Sequence, residues 1–325
     1  MASEGRYIST GTLPEAPQVD DLLHEAHELF RDHAEGVPSP VYPALSAVPP
    51  DRFGLCVVST QGAVFSVGDA DTEFTIMSVA KPFVLALAIE GVGAEAVREQ
   101  VGLDATGLPF NSLTAIEQGR EGRTNPMVNS GAILTAGLMP GGSLEEQWAG
   151  LRGGLSRFAG RELGLDEEVY ASASATNHRN QSMARLLEAY GRITGDPAGI
   201  VDLYTRQNCL SVTARDLAVM GATLADGGVN PLTGERVVGA RVCQHTLAVM
   251  ATAGLYETSG DWLFRVGLPA KSGIGGGIVT AAPGKGGLGT YSPRLDAAGN
   301  SVRGTLAAHF LSERLGLNLF ASDPA

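Results

Sequence analysis

The order of hydrophobic patterns along the chain restricts the possible folds more than any other feature. Two short apolar runs come first, FGLCVVS and AVFSVGD, and the Gln61–Gly62 pair between them is typical of a β-hairpin turn. Residues 83 to about 226 then show mostly helical patterns joined at glycines. Beyond Val266, dense glycines alternate with short apolar runs, which indicates a return to strands and tight turns. The sequence therefore predicts an α+β fold in which both ends of the chain contribute to one sheet.

This order also predicts how the chain is divided. Residues 1–36 are expected to form an N-terminal arm and a helix that begins at Asp20–Asp21 and ends at Gly36, and residues 37–325 the main domain. In the main domain we expect a sheet lobe over about residues 50–80 and 255–325, with a helical lobe over about 81–254 inserted between. An active site between two lobes is a common arrangement. The clearest helical patterns cover residues 144–160, 181–194, 199–207, 214–226 and 305–315.

Charge and cysteine content indicate the setting in which the protein works. The chain has 325 residues, of which 44% are hydrophobic, and this is enough to bury a large core. Its formal net charge of -12, without a basic stripe, disfavours binding to nucleic acid or to an anionic membrane. The three cysteines fit neither a disulfide framework nor a zinc site, which favours a reducing compartment. Since the N-terminus lacks a signal pattern and the longest apolar run, residues 83–89, is too short to span a bilayer, we expect a cytoplasmic protein.

A serine and a lysine three positions apart, Ser78 and Lys81, are the strongest indication of catalysis. A serine hydroxyl needs a neighbouring base to act as a nucleophile, and residues at i and i+3 lie on one face of a helix. A helix beginning at about Lys81–Pro82 would offer backbone N–H groups to an oxyanion, and a half-buried lysine can lose its proton. Only three residues of the chain are lysines. We therefore interpret the pair as a nucleophile and its base rather than as a chance spacing.

A second lysine begins the glycine-rich run KSGIGGG. Lys271 and Ser272 could face the serine across a cleft, where the glycines would let a substrate approach the backbone closely. The alternative is a glycine-rich loop that binds nothing. Because two of the three lysines fall in two such motifs, we favour a functional role for this run.

Other candidates are weaker on spacing alone. Asn129 offers both a donor and an acceptor, which suits an amide or carboxylate ligand, but a structural role explains it equally well. Tyr204 and Tyr256 could relay a proton or orient a substrate, although most tyrosines are packing residues. The histidines are scattered, and no glycine run has the spacing of a nucleotide-binding loop. We therefore expect neither a metal nor a cofactor.

Six stretches, in this order, resemble the serine-dependent glutaminases. They lie between about Phe53 and Phe320 and read GDADTEFTIMSVAKPF, NPMVNSGAI, LADGGVNPLTG, GLYETSGDW, VGLPAKSGIGGGIV and SPRLDAAGNSVRG. That family shares the fold of the serine β-lactamases and penicillin-binding transpeptidases. The resemblance thus implies an antiparallel sheet flanked by helices, with an inserted helical lobe. It also implies a homodimer or homotetramer that acts on a small-molecule amide.

The resemblance assigns roles to individual residues. Ser78 corresponds to the nucleophile, Lys81 to its base and Tyr256 to the active-site tyrosine. The implied reaction is hydrolysis of L-glutamine to L-glutamate and ammonia through a Ser78 acyl-enzyme. The expected substrate-binding residues, including those of the KSG run, are Asn129, Asn180, Tyr204, Lys271, Ser272 and Ile274, the last through a backbone N–H in the oxyanion hole.

Two positions depart from the pattern of that family. Ala173 stands where the family has a glutamate for the substrate's α-ammonium, and Val41 stands in the place of a tyrosine, with Tyr42 one position away. These differences leave two alternatives open. One is the same chemistry, or acyl transfer, on a small γ-amide without a free α-amino group. The other is a binding homologue without catalysis, against which the intact Ser78–Lys81 pair argues.

Overall fold

The computed structural model describes residues 11–322, so the first ten residues of the predicted arm lie outside the described part of the chain. The described residues form helices and strands in an α+β arrangement. The helices are α1 (Ala16–Phe30), α2 (Pro43–Ser46), α3 (Lys81–Val92), α4 (Ala94–Val101), α5 (Thr114–Gln118), α6 (Asn129–Gly137), α7 (Leu144–Ala159), α8 (Glu167–Ala175), α9 (His178–Ala189), α10 (Pro197–Asn208), α11 (Ala214–Ala225), α12 (Ala240–Ala253), α13 (Ser259–Arg265) and α14 (Val302–Arg314). The strands are β1 (Gly54–Ser59), β2 (Val64–Gly68), β3 (Phe74–Thr75), β4 (Ser211–Val212), β5 (Ala270–Ser272), β6 (Gly277–Ala282) and β7 (Gly286–Tyr291).

A five-stranded antiparallel sheet forms the centre of the fold, in the order β2-β1-β7-β6-β5. β1 pairs with β2 as the predicted hairpin and with β7 on its other side, so Val57 lies opposite both Phe65 and Leu288. Strands from the two ends of the chain are therefore neighbours in one sheet. This arrangement confirms the sheet that the order of hydrophobic patterns predicts.

Helices cover both faces of the sheet. Because side chains alternate along a strand, Leu55 and Val57 of β1 face one side and Cys56 and Val58 the other. The first side packs on α1 and α14, and the second packs on α11, which lies along β1, β6 and β7. Coverage on both faces explains why these three strands are buried along their whole length.

Glycines in β7 allow α11 to lie directly on the sheet. A Cβ atom added to Gly289 would be 2.0 Å from the carbonyl oxygen of Ala214, and one added to Gly287 would be 2.2 Å from the carbonyl oxygen of Ala218. Any side chain at either position would collide with the helix backbone. The glycine density of this part of the sequence therefore reflects close contact between a strand and a helix.

The helical layer is built around α3. Its residues from Lys81 to Ile89 are all buried, and it contacts α6, α7 and α12. A helix that is apolar on every side belongs in the interior of a protein. Within residues 11–322, no single helix is long and apolar enough to cross a membrane, and only the bent pair Met77–Val92 and Ala94–Val101 reaches that length and composition together. Helix α3 carries Lys81 into the centre of the molecule.

The N-terminal helix begins and ends earlier than predicted. α1 runs from Ala16 to Phe30 rather than from Asp20 to Gly36, because Pro17 is accommodated in the first turn, where its missing N–H has no cost. α1 packs on α14 and β2, so it is part of the layered fold. α11 belongs to the segment predicted to form the helical lobe, but it packs directly on the sheet. The division of the main domain into a sheet lobe and a helical lobe therefore stays a prediction.

Candidate active site

Ser78 lies in a tight turn where the sheet meets the helical layer. A 3₁₀ turn covers Met77–Ala80 and leads into α3 at Lys81. Met77 has a left-handed backbone with φ of 47°, which is strained for a residue other than glycine. Ser78 itself is buried. The serine thus precedes the α-helix by one short turn instead of occupying its first position.

The side chain of Lys81 is buried and hydrogen-bonded. Its Nζ donates to Oδ1 of Asn129 at 2.8 Å and to the carbonyl oxygen of Met127 at 3.3 Å. Burial lowers the pKa of this amine to about 7. A large fraction of Lys81 is therefore neutral near neutral pH, as a general base requires. The two hydrogen bonds run to the first residue of α6 and to the turn before it, rather than to the hydroxyl of Ser78.

Three predicted substrate ligands meet in one hydrogen-bonded group beside Lys81. Oδ1 of Asn129 also accepts a bond from the Tyr204 hydroxyl at 2.9 Å, and Nδ2 of Asn129 donates to Oδ1 of Asn180 at 3.0 Å. Asn180 donates in turn to Oδ1 of Asn177 at 2.6 Å. The three ligands come from α6, α9 and α10, so only tertiary packing brings them together. Their amides and hydroxyl suit an amide or carboxylate ligand.

The hydroxyl of Tyr256 interacts with the side chain of Ser78. The same hydroxyl donates to the carbonyl oxygen of Ser272 at 3.2 Å. Burial raises the pKa of the Tyr256 hydroxyl to about 12, and the side chains of Ser78 and Ser272 partly oppose this rise. Tyr256 therefore keeps its proton near neutral pH, and this proton is directed at the Ser272 carbonyl.

The backbone of the KSG run passes next to Ser78. A Cβ atom added to Gly273 would lie 3.2 Å from the backbone nitrogen of Ser78, and the half-buried Ile274 follows directly. The side chains of Lys271 and Ser272 are both 0% exposed. Nζ of Lys271 donates to the carbonyl oxygen of Ser272 at 2.7 Å. In this part of the site the backbone, not the side chains, approaches the nucleophile.

Phe110 and Asn300 make contacts at the site that sequence patterns do not reveal. The Phe110 ring lies 4.7 Å from the Tyr256 ring, centroid to centroid, and its carbonyl oxygen accepts a 2.8 Å bond from the backbone N–H of Asn129. Oδ1 of Asn300 accepts a 2.5 Å bond from the hydroxyl of Ser272. Phe110 lies in a stretch without periodicity. Asn300 belongs to the stretch SPRLDAAGNSVRG that resembles the glutaminases, but no local pattern marks it as a site residue.

Comparison with known proteins identifies the family. A family model described as Glutaminase matches residues 36–320, a range that includes every site residue named above. This chain belongs to the glutaminase family. A "Glutaminase 2" of Yersinia pestis is 61% identical over 318 residues, which cover 98% of this chain and 94% of that relative. A "Glutaminase" of Colwellia psychrerythraea is 43% identical over 94% of this chain and 99% of the relative.

Solved glutaminase structures have the same fold. A probable glutaminase, YbaS, matches with a TM-score of 0.93 at 40% identity, over 95% of this chain and 100% of that one. Mglu in its glutamate form matches with a TM-score of 0.88 at 40% identity, over 95% of this chain and 71% of that one. A Bacillus glutaminase matches with a TM-score of 0.83 at 29% identity, over 94% of this chain and 99% of that one. The predicted fold, serine β-lactamase-like with an antiparallel sheet flanked by helices, is confirmed.

The two departures from the glutaminase pattern have different outcomes. Val41 is 48% exposed, whereas the neighbouring Tyr42 packs against an apolar cluster that includes Met77 and Ile274. Of these two residues, Tyr42 is therefore the one that packs on the interior. Ala173 is buried in the same cluster, so an apolar side chain stands where the family pattern has a carboxylate.

Proposed function

We propose that this chain hydrolyses L-glutamine to L-glutamate and ammonia, with Ser78 as the nucleophile. One observation carries the proposal: Lys81 is buried, and its lowered pKa of about 7 provides a base one turn away from Ser78. Similarity over nearly the whole chain to proteins named glutaminase supports the substrate and favours glutamine over the other γ-amides left open by the sequence. No observation favours a homologue without catalysis.

The chemistry follows from the groups around Ser78. Its Oγ attacks the γ-carboxamide carbon while Lys81 accepts the hydroxyl proton. The negative charge that develops on the carboxamide oxygen is stabilised by the backbone N–H groups of Ser78 and Ile274. The C–N bond then breaks, and ammonia leaves with a proton whose transfer Tyr256 assists. Water hydrolyses the resulting acyl-enzyme, and the cycle calls for no metal or cofactor.

The remaining polar groups are proposed to orient the substrate. Asn129, Asn180 and Tyr204 form a connected set of donors and acceptors that can exchange partners with an amino-acid ligand. The related Mglu is known in a glutamate form, which supports a site for the product in this family. The side chains of Lys271 and Ser272 belong to the same proposed site, although both are fully buried.

We further propose a cytoplasmic location and a homo-oligomer, either a dimer or a tetramer. All three cysteines are buried and outside disulfides, as suits a reducing compartment. Phe264 and Phe320 are 87% and 68% exposed, and apolar groups so exposed offer a contact surface to a second copy. Sedimentation velocity at micromolar concentration tests the assembly, and a monomer at every concentration would contradict it.

The nucleophile is tested by substitution and by covalent labelling. Ser78→Ala is expected to lower kcat by about 10³-fold or more in an ammonia-release assay, because nucleophile and base act as a unit. Ser312→Ala is the matched control, since this buried serine donates to the Val266 carbonyl far along the chain. An amide-mimicking electrophile should add mass to the peptide that holds Ser78. Labelling of a cysteine or of Lys271 instead would refute the assignment.

A further inference from the structure

Lys271 occupies a position that its predicted role does not explain. It is the central residue of β5 and 0% of it is exposed, so its amine does not reach an open site. The amine donates a 2.7 Å bond to the carbonyl oxygen of the next residue, Ser272. It also lies over the ring of Tyr256, 4.0 Å from the centroid. Its contacts therefore lead to Tyr256 rather than to a substrate.

Tyr256 and Lys271 share one acceptor. The carbonyl oxygen of Ser272 accepts from the Tyr256 hydroxyl at 3.2 Å as well as from Lys271. A carbonyl oxygen has two lone pairs, so the two bonds together satisfy it and fix where each donor lies. With its hydrogen directed at Ser272, the Tyr256 oxygen can meet Ser78 in only a narrow range of orientations.

Tyr256 also needs support from its surroundings. Its backbone is left-handed, with φ of 57°, a conformation that is strained for a residue other than glycine and persists only where other contacts hold it. Lys271 and Phe110 both pack on the ring. The lysine is a costly group to use for packing, because burial and, secondarily, the charge of Lys81 lower its pKa well below the ordinary value.

We propose that Lys271 is a positioning residue, which acts on the reaction through Tyr256 and does not touch the substrate. Its amine packs on one face of the Tyr256 ring and donates to one of the two lone pairs of the Ser272 carbonyl oxygen. These contacts fix the position of the Tyr256 hydroxyl relative to Ser78. This inference rests on the proposed function. It replaces a substrate-binding role for Lys271 with an indirect one in the chemical step.

The two roles predict different kinetics. Loss of a substrate ligand weakens binding and raises KM, whereas a misplaced Tyr256 slows the chemical step and lowers kcat. In Lys271→Met, which keeps the length and burial but removes the donor, we expect kcat for glutamine to fall by about 10- to 10³-fold. We expect KM to stay within about threefold of the wild type. A raised KM with unchanged kcat would overturn the proposal.

Lys285→Met is the matched control for the loss of a buried lysine. Lys285 is also buried and also donates to one carbonyl oxygen, that of Gly316, at 2.7 Å. Both variants lose a buried amine, but only Lys271 is placed beside Tyr256. We expect kcat of Lys285→Met to remain within about twofold of the wild type. An equal loss of kcat in both variants would show that general damage to the fold, not positioning, explains the effect.

A double-mutant cycle with Tyr256→Phe tests the route of action. If Lys271 acts only through the Tyr256 hydroxyl, adding Lys271→Met to Tyr256→Phe should cost less than about threefold in kcat. Additive losses would overturn the proposal. The pH at which kcat/KM reaches half its plateau should also stay unchanged in Lys271→Met, and a shift would assign its effect to Lys81 instead.

Two further variants keep the outcome clear. Lys271→Gln retains an N–H donor and can be used for the same measurements if Lys271→Met does not fold. If both variants fold, kcat of Lys271→Gln should exceed that of Lys271→Met. Ser78→Ala is assayed in parallel. Full activity of Ser78→Ala would refute the proposed function, whereas an inactive Ser78→Ala together with wild-type kinetics in the Lys271 variants would refute only the positioning role.

Discussion

Nζ of Lys81 lies 2.8 Å from Oδ1 of Asn129 and donates a hydrogen bond to it. A second bond runs from the same nitrogen to the carbonyl oxygen of Met127. A neutral amine has two hydrogens and one lone pair, so these two acceptors engage both hydrogens and leave the lone pair available. Asn129 thereby prepares Lys81 to accept a proton rather than to donate one.

The pH dependence of the reaction should report the ionisation of Lys81. Because burial lowers the pKa of this amine to about 7 and the base must be neutral, kcat/KM should rise through about pH 7 and then level off. On the acid side, the expected slope is about tenfold per pH unit. Initial rates of ammonia release between pH 5 and 9, with stability verified at each pH, measure the profile. A maximum near pH 5 would exclude Lys81 as the base.

Replacing Asn129 by aspartate should move this profile. A carboxylate beside Lys81 favours the charged amine, so the pKa of Lys81 should rise by at least about 1 unit in Asn129→Asp. At pH 7 the variant should then be at least about fivefold slower, with recovery at pH 9.

The control for Asn129→Asp is the same change at Asn230. Asn230 is fully buried and donates to the carbonyl oxygens of Arg157 and Phe158, away from Ser78. Asn230→Asp should lose stability but keep the midpoint of the pH profile. A profile that is unmoved in Asn129→Asp would show that the Asn129 contact does not control the base.

Tyr256→Phe should lower kcat by about 10²- to 10⁴-fold, because the variant loses the hydroxyl that interacts with Ser78 and that is proposed to assist proton transfer. Tyr291→Phe is the comparison, since Tyr291 is buried and its ring stacks on Phe74 at 4.1 Å. The second variant should retain kcat within about threefold. Similar losses in both would argue that the tyrosine effect is structural.

The buried base should reduce the stability of the fold. The pKa of Lys81 is lower in the folded protein than in the unfolded chain, so between about pH 7 and 10 the unfolded state binds more protons and stability rises with pH. Lys81→Met removes this term, and its free energy of unfolding at pH 8 should exceed that of the wild type by about 2–4 kcal/mol, although activity is lost.

Urea denaturation of Lys81→Met and Lys81→Arg at the same pH provides the measurement. The guanidinium of Lys81→Arg cannot lose its proton, so that variant should be less stable than the wild type. If Lys81→Met were instead less stable than the wild type, burial of the Lys81 amine would not reduce the free energy of unfolding as expected.

Helices that begin at a capping side chain are predictable from this sequence. Residues 144–160 and 214–226 were expected to be helical, and α7 and α11 match those ranges to within a residue. Both begin at capping side chains: Ser143 accepts from the Glu146 N–H, and Thr213 forms a capping box with Asp216. Where the start has no such cap, as at Ala16, the predicted boundary of the helix is wrong by several residues.

The orientation of the site residues is less predictable. In a strand that is covered on one face only, alternating apolar and polar residues show which side chains face the core. The central sheet is covered on both faces, so its strands lack this alternation. The sequence therefore does not show that the amine of Lys271 is buried. Asn129 and Tyr204 are 75 positions apart, and no local pattern connects them before packing does. The resemblance to glutaminases supplied these residues where spacing alone left them undecided.

The pairing of β1 with β7 has a consequence for how the enzyme is made. Val57 and Leu288, its neighbour across the sheet, are 231 positions apart in a chain of 325 residues. During synthesis the β1–β2 hairpin leaves the ribosome long before β7, and until then one edge of β1 remains unpaired and open to other chains. Such long-range pairing is slow to form, and a chain released before β7 has emerged would expose this edge without gaining a complete site. We therefore expect activity to appear only when translation is almost finished, and prematurely terminated chains to aggregate rather than to work partially.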